Sequence, residues 1–132
     1  EAIASYEQAL LINPDYTDSH NNLGIVFKKI GRLDDSITSY EKAIKINPND
    51  ADTYNNLGIA FADLGRLNDA IASYEKAIII NPEYAETYNN LSIVFLKLKK
   101  LNKTILKGFS LDTIIMSNNP SSKEAFGVKL TL

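Results

Sequence analysis

The chain has 132 residues, of which 45% are hydrophobic, and this is enough for one compact domain or a short repeat array. Fourteen basic and sixteen acidic side chains give a net charge of −2, which does not favour nucleic acid or an acidic membrane as a partner. The chain lacks cysteine, an apolar run as long as a membrane span and an initial methionine, so we expect a cytoplasmic protein whose true N-terminus lies before Glu1.

A period of 34 residues runs along the chain, and three sets of residues share it. They are Leu23, Leu57 and Leu91; Pro14, Pro48 and Pro82; and Tyr6, Tyr40 and Tyr74. Such a period is typical of repeat proteins. In chain order it predicts the second half of a truncated unit at 1–16, complete units at 17–50 and 51–84, a degenerate unit or capping helices at 85–116, and an irregular tail at 117–132.

Each complete unit has the pattern of two helices. In unit 51–84 the first helix has apolar residues three and four positions apart, and Gly65 suits a left-handed helix end. The second helix presents one apolar face and ends before Pro82. Asn68, like Asp34 in the preceding unit, stands where an N-cap is expected. The two apolar faces are Tyr54, Leu57, Phe61 and Leu64, and Ala70, Ile71, Tyr74, Ala77 and Ile78.

A unit of this length and pattern resembles the tetratricopeptide repeat family. The eight signature positions of unit 51–84 are occupied by Tyr54, Leu57, Gly58, Phe61, Ala70, Tyr74, Ala77 and Pro82. Unit 17–50 matches with His20 at the tyrosine position and Ser36 at the first small position. The resemblance spans residues 1 to about 103 and implies an all-α fold, in which stacked antiparallel helix pairs form a right-handed superhelix, or α-solenoid, with an irregular C-terminal tail.

The third unit departs from the repeat pattern after Leu101. Four positions no longer hold the expected residue. Lys99 replaces the glycine, Thr104 replaces a small residue, Gly108 replaces the tyrosine and Met116 replaces the proline. A degenerate cap of the array and a slipped reading frame both explain this departure, and the sequence leaves the two open.

A second stripe of residues lies opposite the packing face of each first helix. Helical geometry turns about 100° per residue and brings an acid, an asparagine, an isoleucine and a charged residue onto one line. These candidate groove residues are Asp18, Asn22, Ile25 and Lys29; Asp52, Asn56, Ile59 and Asp63; and Glu86, Asn90, Ile93 and Lys97. A second set of asparagines, Asn21, Asn55 and Asn89, lies beside the stripe.

Two interpretations of the asparagines stay open. An amide both donates and accepts hydrogen bonds, so Asn22, Asn56 and Asn90 would pair with the backbone of an extended peptide. They are similar to the groove asparagines of the O-linked N-acetylglucosaminyltransferase repeat arrays, which hold substrate peptides by the backbone. Alternatively, they bond to neighbouring helices and set the angle between repeats. For the second set we expect a solvated or structural role. The isoleucines would give a peptide apolar contact, but we expect them to pack between adjacent repeats.

A second family resemblance is not supported by the residues. Repeat domains that bind the acidic tails of heat-shock chaperones use lysine, arginine and asparagine as a carboxylate clamp. Here Asp52, Ile59 and Glu86 occupy the corresponding wall, so the sequence does not favour a chaperone-tail clamp.

The sequence predicts no catalytic residue, no metal site and no cofactor site. His20 is the single histidine, and we expect it to pack in a tyrosine position. Asp34 and Asp35 are expected to cap a helix and complement its dipole. A lysine cluster near the last repeat is expected to be solvated, although amphipathic basic segments also bind membranes or acidic partners. It comprises Lys97, Lys99, Lys100, Lys103 and Lys107.

Together these observations predict a non-catalytic scaffold that binds a peptide or partner protein in a concave groove. Asp18, Asp52 and Glu86 would favour basic side chains in that partner. The alternatives are a substrate-docking or regulatory arm of a larger enzyme, such as an O-linked N-acetylglucosaminyltransferase-like glycosyltransferase, and an architectural spacer without a groove. The sequence does not fix the oligomeric state.

Overall fold

The computed structural model describes residues 1–117, with side-chain surroundings for residues 1–108. Every regular element in this range is a helix, and the predicted all-α fold is confirmed. The helices are α1 (Ala2–Ile12), α2 (Thr17–Lys29), α3 (Leu33–Ile46), α4 (Ala51–Asp63), α5 (Leu67–Ile80) and α6 (Ala85–Ser117). Apart from Ser117, the irregular tail predicted for 117–132 lies outside the described residues.

The chain divides into two compact units, Glu1–Phe95 and Leu96–Leu132. In the first unit, α2 packs against α3 and α4 packs against α5, which gives two helix pairs. α1 packs against α2 and α3 against α4, so that successive pairs are stacked. The predicted solenoid of stacked helix pairs is therefore confirmed for this unit.

The hydrophobic core is continuous from one pair to the next. Its buried residues include Tyr40 of α3, Phe61 of α4 and Tyr74 of α5, and Val94 of α6 belongs to the same cluster. Leu91 packs against this cluster from α6. The leucine and tyrosine positions of the 34-residue period therefore contribute to the interior of the stack, whereas the prolines of that period are exposed.

Glycine allows the two helices of each pair to approach closely. A Cβ atom added to Gly24 would lie 2.5 Å from Cε1 of Tyr40, and one added to Gly58 would lie 2.5 Å from Cε1 of Tyr74. Both distances are shorter than any normal contact, so these tyrosine rings occupy the space that a side chain would need. Burial raises the pKa of both tyrosine hydroxyls to about 12.

The turn between the helices of each pair depends on a left-handed glycine. Gly31 has φ of 80° and Gly65 has φ of 83°, a conformation that other residues adopt at a cost. The backbone N–H of Arg32 then donates to the carbonyl of Phe27, and that of Arg66 donates to the carbonyl of Phe61. Both distances are 2.9 Å. These bonds satisfy a carbonyl at the end of the first helix, and the second helix begins one residue later.

The predicted N-caps Asp34 and Asn68 are wrong. The N-cap positions are Arg32 and Arg66, which use no side-chain cap, because the glycine turn starts α3 and α5 earlier than the sequence suggests. Asp34 and Asp35 lie in the first helical turn, where their charge complements the helix dipole as expected.

α6 is one helix across the region where the sequence lost the repeat signature. It continues through Lys99, the position at which Gly31 and Gly65 end the first helices of the preceding pairs. Lysine has a high helix propensity and resists a positive φ, so the stop signal is absent there. None of the helices in residues 1–117 is long and apolar enough to cross a bilayer.

Candidate functional site

Eleven of the twelve predicted groove residues lie in the first compact unit, on α2, α4 and the beginning of α6; we call these eleven the polar stripe. It comprises Asp18, Asn22, Ile25 and Lys29; Asp52, Asn56, Ile59 and Asp63; and Glu86, Asn90 and Ile93. Its acids are exposed and its asparagines are half-buried. The twelfth residue, Lys97, belongs to the unit Leu96–Leu132.

The isoleucines of the polar stripe differ in their surroundings. Ile25 and Ile59 are half-buried and pack against the hydrophobic core, whereas Ile93 is 44% exposed. The first two therefore stabilise the contact between repeats, as expected of a structural role. Only Ile93 offers a large apolar surface to a ligand.

Asn55 is a buried bridge between successive repeats. It is 1% exposed, and its Oδ1 accepts hydrogen bonds from Thr87 Oγ1 at 3.0 Å and from Asn90 Nδ2 at 3.2 Å. Its Nδ2 donates to Glu86 Oε1 at 3.4 Å. All three partners belong to α6, so this amide holds the first helices of two repeats together. The structural role expected for Asn55 is confirmed.

The same bridge is not repeated one unit earlier. Oδ1 of Asn21 is buried without a hydrogen-bond partner among the described residues. Thr53, which corresponds to Thr87, instead donates to Asp50 Oδ2 at 2.6 Å. Asp50 is the N-cap of α4 and also accepts from the backbone N–H of Thr53. The carboxylate therefore competes with the amide for the threonine hydroxyl.

A tyrosine replaces Asp50 at the start of the next repeat. Tyr84 Oη donates to Asp52 Oδ1 at 2.6 Å, which is a second side-chain link between successive repeats. Burial, followed by this bond to a carboxylate, raises the pKa of the Tyr84 hydroxyl. Sequence reasoning missed both Thr87 and Tyr84. The sequence did contain a signal for them. Positions 50 and 84 correspond in successive repeats, and the first is aspartate while the second is tyrosine, although both are followed three residues later by a threonine.

The asparagines of the polar stripe are not equivalent. Asn90 donates to Asn55, so half of its amide is committed to packing. The side chains of Asn22 and Asn56 make no hydrogen bond to any group in the described part of the chain, although both are half-buried. An amide in this position retains its donors and its acceptor for a ligand or for water.

The remaining polar candidates have structural surroundings. His20 is buried, and its Nε2 donates to the carbonyl of Pro14 at 2.8 Å, which ties the loop before α2 to that helix. Asp35 accepts from Arg32 Nε at 2.7 Å on the exposed surface. Within residues 1–117 no group of acids and histidine is arranged to hold a metal ion.

Comparison with known proteins identifies the class to which this fold belongs. A TPR repeat model matches residues 1–31 and 27–65, and a tetratricopeptide repeat model matches residues 51–84. The chain belongs to the tetratricopeptide repeat family. No curated protein matches it in sequence.

Three solved structures illustrate the likeness in fold. The crystal structure of MamA is 28% identical with a TM-score of 0.71, over 78% of this chain and 60% of that chain. The first TPR of Spaghetti (RPAP3), bound to the HSP90 peptide SRMEEVD, is 20% identical with a TM-score of 0.71, over 74% and 77%. A Thermobaculum terrenum O-GlcNAc transferase mutant is 23% identical with a TM-score of 0.66, over 70% and 18%. The last two likenesses concern the fold alone.

Proposed function

We propose that this repeat protein is an interaction scaffold that binds an extended peptide of a partner protein along the polar stripe. The observation that carries the proposal is the pair of half-buried amides at Asn22 and Asn56, which have the same position in successive repeats and no hydrogen bond within the described residues. Neither amide is among the buried side-chain groups that lack a partner in the described residues, so both reach the surface and are accessible to a ligand.

The amides suit the backbone of a peptide better than its side chains. Each asparagine offers two donors and one acceptor, the complement of a peptide group with its C=O and N–H. Contacts of this kind do not depend on the ligand sequence, so they give register along the groove rather than selectivity.

Selectivity in this proposal comes from the acids. Asp18, Asp52 and Glu86 are exposed at the start of successive first helices, so the stripe favours a peptide that carries lysine or arginine. The peptide bound to the first TPR of Spaghetti, SRMEEVD, is acidic. We expect this chain to reject such a peptide through charge repulsion.

A direct test compares two labelled peptides by fluorescence anisotropy, one of alternating lysine and threonine and one of alternating glutamate and threonine. The wild-type chain should bind the first and not the second. The double variant Asn22→Ala/Asn56→Ala should weaken binding by about tenfold, since it removes hydrogen bonds worth roughly 1.4 kcal/mol in total. Asn90 stays unchanged because it supports Asn55.

The control is Asn68→Ala, which removes an exposed asparagine from α5 and should leave binding unchanged. Circular dichroism must show equal helix content in all variants. Unchanged binding by the double variant would contradict the role of the amides, and equal binding of both peptides would contradict the role of the acids.

The enzyme-arm alternative uses the same groove. In that case the bound peptide would be the substrate of a catalytic domain elsewhere in a longer protein. Sequencing the DNA that flanks this reading frame, in all three frames beyond the codon for Leu101, distinguishes the two. A catalytic domain in continuity with the repeats supports the docking arm, whereas further repeats followed by a stop codon support the stand-alone scaffold.

A further inference from the structure

The residue that precedes a first helix differs between two successive repeats. Asp50 precedes α4, and Tyr84 stands at the equivalent position before α6. We propose that Asp50 keeps the amide of Asn56 available to a peptide, because it prevents the bridge that commits Asn90 in the next repeat. Asp50 thereby acts on a residue of the peptide groove, and this role rests on the proposed function.

The bridge between α4 and α6 consists of three hydrogen bonds to the buried amide of Asn55. Its Oδ1 accepts from Thr87 Oγ1 at 3.0 Å and from Asn90 Nδ2 at 3.2 Å. Its Nδ2 donates to Glu86 Oε1 at 3.4 Å. The threonine bond holds Oδ1 toward α6, where Asn90 also donates to it. We call this arrangement the closed bridge.

Between α2 and α4 the same bridge is open. Oδ1 of Asn21, the equivalent of Asn55, is buried without a hydrogen-bond partner among the described residues. The Thr53 hydroxyl instead donates to Asp50 Oδ2 at 2.6 Å, and the amide of Asn56 makes no hydrogen bond within residues 1–108. Asn21 therefore lacks both of the donors that Asn55 has.

Hydrogen-bond strength explains why the aspartate prevails. A hydrogen bond to an ionised carboxylate is roughly twice as strong as one between neutral groups. The fully buried Thr53 accordingly donates to Asp50 rather than to the neutral amide of Asn21. An unpaired buried acceptor is costly, so we expect Asn21 to accept the threonine hydroxyl once the carboxylate is removed.

Tyrosine at the equivalent position leaves the next threonine free. Tyr84 Oη donates to Asp52 Oδ1 at 2.6 Å, so this hydroxyl is directed to α4. Thr87, which is fully buried like Thr53, donates to Asn55. In the two contacts that the structure describes, aspartate thus accompanies an open bridge and tyrosine accompanies a closed one.

The state of the bridge determines how much of a stripe asparagine remains for a ligand. Asn90 has one donor committed to Asn55 in the closed bridge. Asn56 retains both donors and its acceptor beside the open bridge. Asp50 is therefore a positioning residue, which acts on the groove through Thr53 without contacting the peptide.

The first test follows the side-chain NH₂ signals of the full chain by nuclear magnetic resonance, without peptide. Asp50→Tyr should release the Thr53 hydroxyl to Asn21 and close the bridge. The NH₂ signal of Asn56 should then shift toward that of Asn90, and its protons should exchange with water more slowly. Tyrosine naturally precedes α6, so we expect α4 to form in this variant.

The matched control separates this route from the loss of a charge. Thr53→Val keeps the shape of the buried side chain but removes its hydroxyl. In the Thr53→Val background, Asp50→Tyr should therefore leave the Asn56 signal unchanged. An Asn56 signal that does not respond to Asp50→Tyr alone, or that responds equally in both backgrounds, would overturn the proposal.

A second variant tests the same coupling at the closed bridge and leaves position 50 intact. Thr87→Val removes one of the two donors to Asn55 Oδ1, so this oxygen is no longer held toward α6. The NH₂ protons of Asn90 should then exchange with water faster than in the wild type. Unchanged exchange at Asn90 would show that the threonine does not control the asparagine, and this would also overturn the proposal.

The effect on the groove is measured by fluorescence anisotropy with the alternating lysine and threonine peptide. Asp50→Tyr should weaken binding by about threefold, because it commits one of the two amides whose joint removal costs about tenfold. The loss should be smaller in the Thr53→Val background, where only the charge changes, and an equal loss would contradict this route. A wild-type chain that does not bind the peptide would refute the proposed function, whereas the NH₂ signals without peptide test Asp50 independently.

Discussion

At the scale of single residues, the two members of the central asparagine doublet have different surroundings. Asn55 is buried and accepts from Thr87 and Asn90, whereas its neighbour Asn56 is half-buried and has no hydrogen bond within the described residues. Adjacent positions on a helix point about 100° apart, so one amide faces the next repeat while the other faces the stripe. In the central doublet Asn55 therefore serves packing between repeats, and we propose that Asn56 contacts the ligand.

The bridge at Asn55 gives a prediction for stability. Asn55→Ala would leave Thr87 Oγ1 and Asn90 Nδ2 without their acceptor, and we expect a loss of about 1–3 kcal/mol in the free energy of unfolding measured in urea. The matched control is Asn89→Ala, since Asn89 has the same repeat position but is exposed. An equal effect of the two substitutions would show that the bridge contributes nothing.

Sequence reasoning could place the asparagines on a face but could not distinguish their roles. The 100° turn per residue sets the direction of each side chain, and the stripe follows from it. Whether an amide meets a partner depends on the stacking of the next repeat and on competitors such as Asp50, which accepts the hydroxyl of Thr53. These are three-dimensional relations, and no local pattern contains them.

At the scale of helices, the period of 34 residues predicted the pairs because its leucine and tyrosine positions coincide with burial. Leu23 and Leu57 are buried, as are Tyr40 and Tyr74. The helix starts were harder to predict, because Gly31 and its equivalent allow α3 and α5 to begin at a leucine without a side-chain cap. Aspartate and asparagine two positions into a helix resemble N-caps in sequence, and this explains the error at Asp34 and Asn68.

The close approach of α4 and α5 gives a prediction at this scale. Gly58→Ala places a Cβ 2.5 Å from Cε1 of Tyr74, and we expect it to destabilise the first compact unit by about 1–3 kcal/mol despite the higher helix propensity of alanine. Thermal unfolding followed by circular dichroism measures the loss. Gly108→Ala is the control, because nothing lies within 4 Å of its added Cβ. A Gly58→Ala variant as stable as the wild type would contradict the packing described for this pair.

At the scale of the whole molecule, the stacked pairs of the first unit align the polar stripe from α2 through α4 to the start of α6. The acids recur at the helix starts and the asparagines one turn later, and in our proposal a single extended ligand would meet equivalent groups in successive repeats. In a repeat array, equivalent contacts from successive repeats add up along one extended ligand, and this allows weak individual contacts to bind a flexible partner.

The most direct test of this account is a nuclear magnetic resonance titration of the ¹⁵N-labelled chain with the alternating lysine and threonine peptide. Side-chain NH₂ signals report each asparagine separately. We predict that the signals of Asn22 and Asn56 shift on binding, while that of Asn55, buried between repeats, stays in place. Shifts confined to exposed residues of α3 and α5, with Asn22 and Asn56 unchanged, would contradict binding along the polar stripe.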